Sequence, residues 1–194
     1  MQRWRKRAPS VDERRVPSAA WLPRRFDGGQ LRRLKPSDLA CFQSYRSTPE
    51  LNRYQGWSPM SDAAAAAFLA EMSDAPVFAA GKWIQLGIAE PVTDRLIGDI
   101  GLFLSGDGLG GEIGFTLSLA AQGRGIATAA VRQALELLFA ATPVRQVLGF
   151  TDTRNAASIH LLERAGFLRQ EERTVVFRGQ LCTEAVYVLP RSAG

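Results

Sequence analysis

Apolar and polar positions follow different periods in the two halves of the chain, and the first half favours helices. A short strand is expected at residues 30–35. Ser37 is a good N-cap, and the spacing after it predicts a helix over residues 38–47. Ser61 opens a second, alanine-rich helix over residues 62–72 in the same way.

From Lys82 onward the pattern is typical of strands, interrupted by two helices. Apolar residues recur at helical spacing over residues 124–140, and a second helix over residues 155–165 is closed by Gly166. The predicted strands are residues 83–90, 96–104, 112–119, 144–151, 167–177 and 181–189. The order β-α-α-β-β-β-α-β-α-β-β predicts one α+β domain, and 46% hydrophobic residues in 194 supply its core.

The basic charge of the protein is concentrated at its N-terminus. The first 35 residues hold eleven Lys and Arg against three Asp and Glu, a net charge of +8, which leaves −3 for the remainder. Pro9, Pro17 and Pro23 exclude a continuous helix there. Residues 1–25 are therefore interpreted as a basic, flexible arm, and residues 26–194 as the folded domain.

Several classes of function are excluded by composition. No stretch reaches the roughly 18–20 apolar residues that a membrane-spanning helix needs. Cys41 and Cys182 lie far apart, and His160 is the only histidine, so neither a disulfide framework nor a metal site is indicated. These features predict a reduced, cytoplasmic protein.

The loop at residues 122–128 joins a predicted strand to a predicted helix and contains Gly123 and Gly125. Free N–H groups and the dipole at a helix N-terminus attract anions, and glycines let phosphate oxygens approach the main chain. Arg124 adds a positive charge, and Thr128 adds a hydroxyl in the first turn. Glycine-rich turns without a phosphate role are equally common, so this loop alone leaves the function open.

The residues of this loop and of three other segments resemble the GNAT acetyltransferases. Residues 122–127 (QGRGIA) match the family motif Q/R-x-x-G-x-G/A, and residues 155–167 are similar to its second motif, N-x-x-(A/S)-x-x-L-x-E-x-x-G-F. Residues 31–38 and 48–54 resemble the opening of the RimJ/RimL-type branch. The resemblance spans about residues 30–189.

This resemblance implies a GNAT fold, with a mixed, mostly antiparallel sheet of about seven strands and helices on both faces. It also implies acetyl-CoA as cosubstrate, without a metal. The pantetheine arm would lie beside Phe115, Thr116 and Leu117 like an added strand and would also contact Asn155. The pyrophosphate would be held by the loop residues Gln122, Gly123, Arg124, Gly125, Ile126, Ala127 and Thr128.

Two catalytic positions depart from the family pattern. Many GNAT enzymes have a tyrosine seven residues after the asparagine of the second motif, and some have a glutamate at the end of the preceding strand. This chain has Leu162 and Phe150 there. Ser158 is the nearest substitute for protonating the thiolate, through a water relay; the alternative is a buried serine bonded to a backbone carbonyl.

Glu112 is the leading candidate for the general base, acting through water, because it lies on the strand that would bind the cofactor. The alternative is a solvated glutamate without a catalytic role. Asp99 on the neighbouring strand is a lesser candidate, and His160 is expected to be exposed. Tyr54 and Trp57 are candidates either for the acceptor pocket or for the core.

The sequence leaves the acceptor open. A protein N-terminal amine, as of a ribosomal protein, a small amine and an aminoglycoside-type antibiotic all fit the motifs. A non-catalytic acyl-CoA-binding module is an alternative, since the family's tyrosine and glutamate are missing. The basic arm also suits contact with RNA or the ribosome, and both a monomer and a homodimer remain open.

Overall fold

Residues 21–192, which the computed structural model describes, form one mixed sheet of eight strands. The order across the sheet is β1-β2-β3-β4-β5-β6-β8-β7, and every neighbouring pair is antiparallel except β5 and β6. This confirms the predicted mixed, mostly antiparallel sheet. The strands are β1 (Arg24–Phe26), β2 (Gly29–Arg33), β3 (Trp83–Ala89), β4 (Leu96–Leu104), β5 (Gly110–Leu117), β6 (Gln146–Asp152), β7 (Leu168–Phe177) and β8 (Gln180–Pro190).

Helices cover both faces of this sheet, as expected. They are α1 (Leu39–Arg46), α2 (Pro49–Asn52), α3 (Asp62–Asp74), α4 (Ile126–Ala141) and α5 (Ala156–Arg164). Asp99 on β4 faces α1, whose Arg46 bonds it. On the opposite face a Cβ at Gly111 of β5 would meet Leu138 of α4 at 3.2 Å. We call the side of the sheet that packs against α1 the α1 face and the opposite side, which packs against α4, the α4 face. The hydrophobic core lies between each face and its helices.

The N-terminal boundary of the domain differs from the prediction. Residues 1–20 of the predicted arm lie outside the described residues. Strand β1 begins at Arg24, inside the segment assigned to the arm, and Trp21 and Leu22 pack against the core. A three-residue strand is too short to show alternation, which is why the sequence did not reveal it.

One predicted N-cap is confirmed and the other is wrong. The Ser61 side chain accepts a hydrogen bond from the Ala64 N–H at 3.3 Å and begins α3. Ser37 does not cap α1, because Pro36–Asp38 forms a 3₁₀ turn. Within that turn the Asp38 carboxylate accepts the Lys35 N–H at 2.8 Å, and no side chain caps the N-terminus of α1 itself.

The parallel pair β5 and β6 separates part-way along its length. Pairing runs from Gly110–Gln146 to Ile113–Gly149, whereas β5 continues to Leu117 and β6 to Asp152. Beyond Ile113 the facing edges of the two strands are no longer hydrogen-bonded to each other. This separation opens the sheet next to the N-termini of α4 and α5, and it positions the site described below.

Candidate active site

A cleft of about 470 Å³ lies where β5 and β6 separate. We call it the main cleft. Its walls are the end of β5, the loop that leads into α4, the cleft-facing side of α5, and α2 with the turn after it. The lining residues include Glu50, Leu51, Tyr54, Gln55, Phe115, Thr116, Leu117, Gln122, Gly123, Gly125, Ile126, Ala127, Thr128, Asn155, Ser158, His160 and Arg164.

The end of β5 turns backbone groups into the main cleft. Ser118 donates its N–H to the Ile97 carbonyl of β4 at 2.8 Å. In an antiparallel pair of strands, the backbone N–H and C=O groups of successive residues point alternately toward and away from the partner strand. The groups of Leu117 and Phe115 therefore point away from β4. Their carbonyls accept side-chain amides instead, from Gln122 at 2.9 Å and from Gln55 at 3.3 Å.

The loop before α4 has the geometry of an anion cradle. Gly123 and Gly125 both have a φ of 76°, which is strained for any residue with a Cβ. Among the described residues, no atom apart from those of the adjoining residues lies within 4 Å of the position that a Cβ would take at either glycine, so the main chain is open toward the cleft. Gly125 ends the loop, and its conformation explains why α4 begins at Ile126 rather than at the predicted Arg124.

Arg124 is the one predicted loop residue that does not line the main cleft. It lies near Glu90, in the connection between β3 and β4. The pKa of Glu90 is lowered chiefly by a hydrogen bond from Arg95, and Arg124 contributes a smaller charge effect. The other predicted loop residues and the three β5 residues are brought together as expected.

Asn155 positions the start of α5. Its side-chain oxygen accepts the Ser158 N–H at 3.2 Å, so it serves as the N-cap. Ser158 is partly buried and lines the main cleft beside Asn155. Within residues 21–192 its hydroxyl has no hydrogen-bond partner, and it is therefore not tied to a backbone carbonyl as the alternative interpretation required.

Glu112 lies outside the main cleft, on the α1 face of β5. It is partly buried, beside Phe103 of β4 and Leu148 of β6. Burial and, to a smaller extent, the Glu184 carboxylate raise the pKa of its carboxyl against the opposing effect of Arg173, with a net value of about 6. A carboxylate with this pKa is deprotonated at neutral pH and basic enough to accept a proton there.

A family model described as an acetyltransferase (GNAT) domain matches residues 30–168. The chain belongs to the GNAT acetyltransferase family. The match includes the cleft-forming end of β5, the loop before α4 and the whole of α5. The protein is thus an acetyl-CoA-dependent N-acetyltransferase, as the sequence motifs indicated.

Individual GNAT proteins are similar to this one over most of its length. The uncharacterized N-acetyltransferase p20 of Bacillus licheniformis is 26% identical over 149 residues, covering 74% of this chain and 83% of the relative. The fold is shared with a ribosomal-protein-S5-alanine acetyltransferase from Vibrio fischeri (TM-score 0.71, 18% identity, 87% of this chain and 96% of that one). It is also shared with a spermidine N-acetyltransferase from Vibrio cholerae, solved with CoA and spermine (TM-score 0.71, 16% identity, 85% and 96%).

The main cleft of this GNAT domain fits acetyl-CoA at both ends. The pantetheine arm needs main-chain partners, and Phe115 and Leu117 turn carbonyls into the cleft. The pyrophosphate needs free N–H groups with unobstructed access, and Gly123, Gly125 and the first turn of α4 provide them.

The two positions that depart from the GNAT pattern have structural roles here. Leu162 is 1% exposed, and its side chain packs so closely on β6 that a Cβ at Gly149 would lie 2.8 Å from it. Phe150 is partly buried and carries the Arg173 guanidinium 4.9 Å above its ring. Neither residue can transfer a proton.

Sequence reasoning missed several residues on the cleft wall opposite β5. Glu50, Leu51 and Gln55 lie on α2 or in the turn after it, and α2 itself was not predicted. The signal was present, because Pro49 after Thr48 is a typical helix start. His160 is exposed, as expected, and lies at the rim of the cleft with Arg164.

Asp99, the lesser candidate for a base, is held in a buried ion-pair network. It is 1% exposed, and its carboxylate accepts hydrogen bonds from Tyr45, Gln85 and Arg46, the last at 2.9 Å. Burial, and then the Asp99 charge, raise the pKa of the Tyr45 hydroxyl well above its ordinary value. Because both carboxylate oxygens of Asp99 accept hydrogen bonds from buried protein groups, we assign it a structural role and not that of a base.

Asp99→Asn should therefore destabilise the protein strongly. It would leave the buried Arg46 charge without its counter-charge, a change that costs about 3–5 kcal/mol in other proteins. Urea unfolding measures the loss. Glu90→Gln is the matched control, because it breaks the exposed pair with Arg95 and should change the free energy of unfolding little. Equal losses in the free energy of unfolding from the two substitutions would contradict the structural role assigned to Asp99.

None of the helices in the described part of the chain is long and apolar enough to cross a membrane. Among the same residues no group of three His, Cys, Asp or Glu side chains is arranged to hold a metal ion.

Proposed function

We propose that this protein transfers the acetyl group of acetyl-CoA directly to a primary amine, with Glu112 as the general base. The observation that carries the proposal is the placement of Glu112, a carboxyl with a pKa of about 6, on the α1 face of the strand whose end forms the main cleft. The amine approaches from the α1 face, and the donor lies in the cleft.

Binding of the donor rests on three groups of residues. Phe115, Thr116 and Leu117 offer the edge of β5 to the pantetheine arm, and Asn155 contacts that arm from the start of α5. The pyrophosphate rests on the α4 N-terminus, where free N–H groups and the helix dipole favour negative charge. The residues of that segment are Gln122, Gly123, Gly125, Ile126, Ala127 and Thr128, and Arg124 contributes only long-range charge.

Glu112 takes the proton that the amine must lose. An ammonium group has no lone pair and cannot attack the thioester, so a nearby base is required. Glu184 and Arg173 form an ion pair beside Glu112 on the same side of the sheet. Because Arg173 neutralises Glu184, the Glu112 carboxylate carries the net negative charge that favours a cationic amine in this region, and a water molecule between the amine and Glu112 completes the transfer.

Ser158 supplies the route by which the leaving thiolate regains a proton. Its hydroxyl lies in the main cleft, and within the described residues it has no protein partner to compete for it. Because an alcohol is a weak acid, it acts by relaying a proton from water.

Ser158→Ala should lower kcat by about 10–100-fold if it relays a proton, the low end of acid–base effects. Acetyl-CoA affinity should stay near that of the wild type, because the N-cap bond uses the Ser158 backbone N–H and survives the change. Steady-state kinetics and calorimetry measure the two quantities. Unchanged kcat would mean that water protonates the thiolate unaided.

The acceptor that we favour is the N-terminal amine of a protein, with a small amine as the second candidate. Both have counterparts among proteins of this fold, one named for ribosomal protein S5 and one for spermidine. The protein should be incubated with acetyl-CoA and three acceptors: a peptide with a free N-terminus, spermidine and an aminoglycoside. Mass spectrometry identifies which gains an acetyl group, and a peptide blocked at its N-terminus is the control. Acetylation of the blocked peptide at lysine would contradict an N-terminal acceptor.

A further inference from the structure

Two glutamine side chains occupy the carbonyls that the end of β5 turns into the main cleft. Gln122 comes from the loop directly after β5 and bonds the Leu117 carbonyl at 2.9 Å. Gln55 comes from the turn after α2, sixty residues away in sequence, and bonds the Phe115 carbonyl at 3.3 Å. The second bond is thus a tertiary contact that closes the cleft from the opposite wall.

The segment that carries Gln55 is also anchored on the acceptor side of the sheet. The Trp57 ring lies 4.4 Å from the Arg46 guanidinium, which bonds Asp99. The Trp57 carbonyl accepts a hydrogen bond from Arg178 at the turn between β7 and β8. Residues 53–60 therefore connect the donor cleft with the face from which the amine approaches.

The Gln55 amide is placed where the cofactor's own amide would bind. A pantetheine arm that adds to the β5 edge as an extra strand donates its amide N–H to an outward carbonyl of β5. The Phe115 carbonyl is one of the two available, and the Gln55 side-chain amide donates to it from the same side. Two amide groups that approach the same carbonyl oxygen from one side of the β5 edge would have to occupy the same space, so the Gln55 amide and the cofactor amide exclude each other.

We propose that Gln55 is a latch that closes the empty donor cleft and that acetyl-CoA must displace. The inference rests on the proposed function, because it requires the pantetheine arm to bind at Phe115. Displacing Gln55 moves the segment that carries Trp57, so the acceptor side takes its working shape only after the donor has bound.

The latch makes an unusual prediction, because removing a side chain from the cleft wall should tighten binding. A hydrogen bond that must be broken before the ligand binds reduces apparent affinity by its net stability. A bond of this type contributes modestly, so Gln55→Met should lower the Kd for acetyl-CoA by about 2–10-fold. Methionine keeps the length of the side chain and removes the donor.

Calorimetry with acetyl-CoA tests the latch on the full chain. Gln55→Ala should tighten binding like Gln55→Met, and Gln133→Met is the matched control, since Gln133 of α4 lies outside the main cleft and, within residues 21–192, its side chain hydrogen-bonds Glu136 alone. Fluorescence gives a second readout: acetyl-CoA should change the Trp57 signal in the wild type, less so in Gln55→Met, and not in Trp57→Phe. Unchanged or weaker binding in both Gln55 variants would overturn the latch while the wild type still binds. No binding by the wild type would overturn the proposed function itself, and the latch with it.

Discussion

Gly125→Glu is expected to weaken acetyl-CoA binding by at least about 100-fold. The substitution adds a Cβ at a φ of 76° and places a negative charge at the N-terminus of α4, where the pyrophosphate should lie. The main chain at Gly125 is open to the cleft, so the new side chain would fill the space that the phosphates need. Isothermal titration calorimetry measures the change in Kd.

Gly108→Glu is the matched control for this experiment. Gly108 also has a positive φ, 71°, and open space around it, but it lies in the turn between β4 and β5. Both variants carry the same backbone strain and the same added charge. Only Gly125→Glu should lose binding, and equal losses would show that strain or net charge, rather than the phosphate site, is responsible.

Glu112→Gln is expected to lower kcat/KM by at least about 100-fold, in the range of lost general bases. The wild-type rate should rise with pH through about 6, the pKa to which burial raises this carboxyl. The variant should lack that rise, while its acetyl-CoA affinity stays unchanged, because Glu112 lies outside the main cleft. A pH–rate profile of both proteins measures the effect.

Glu184→Gln is the control that distinguishes a change in the pKa of Glu112 from loss of the base itself. It removes the carboxylate that raises the pKa of Glu112 and keeps Glu112 itself. The rise in rate should move to lower pH, and the rate on the plateau should be retained. A plateau rate in Glu112→Gln equal to that of the wild type would contradict the assignment of Glu112 as the base.

Glu112→Gln should also stabilise the fold at pH 8. The folded-state pKa of Glu112 lies above its ordinary value of 4.5, so the stability linked to this group is present below pH 4.5 and lost as pH rises through 6. Gln carries no such cost. Discounted for partial exposure, the gain is about 1 kcal/mol at pH 8 and should vanish near pH 4.

Local chemistry explains which parts of the fold were predicted. Ser61 capped its helix as predicted, because it acts on a backbone N–H only three residues away, whereas the predicted start of α4 at residue 124 was two residues early, because Gly125 is left-handed. Ser37 failed as a cap because residues 36–38 form a 3₁₀ turn, in which Asp38 bonds Arg32 of β2, a partner that only the folded sheet brings near. Strand β1 was missed because three residues carry no readable period.

The site residues, like the fold, were predicted where they act through local backbone geometry and missed where they depend on distant residues. The motif segments predicted the cleft wall formed by the end of β5, the loop before α4 and the start of α5, since its glycines and its N-cap act through local backbone geometry. Gln55 was not predicted, because its importance depends on Phe115 sixty residues away. The raised pKa of Glu112 depends on burial and on Glu184 and Arg173, which belong to strands β8 and β7. Long-range pairing of this kind leaves no pattern in a single sequence.

The most direct measurement of the central claim is release of the CoA thiol by the 194-residue protein at saturating acetyl-CoA, with and without a primary amine. The account predicts release that depends on the amine, equals the acetylated amine formed, and increases as pH rises through about 6. Thiol release that is absent with every amine tested, or that proceeds equally well without any amine, would contradict it.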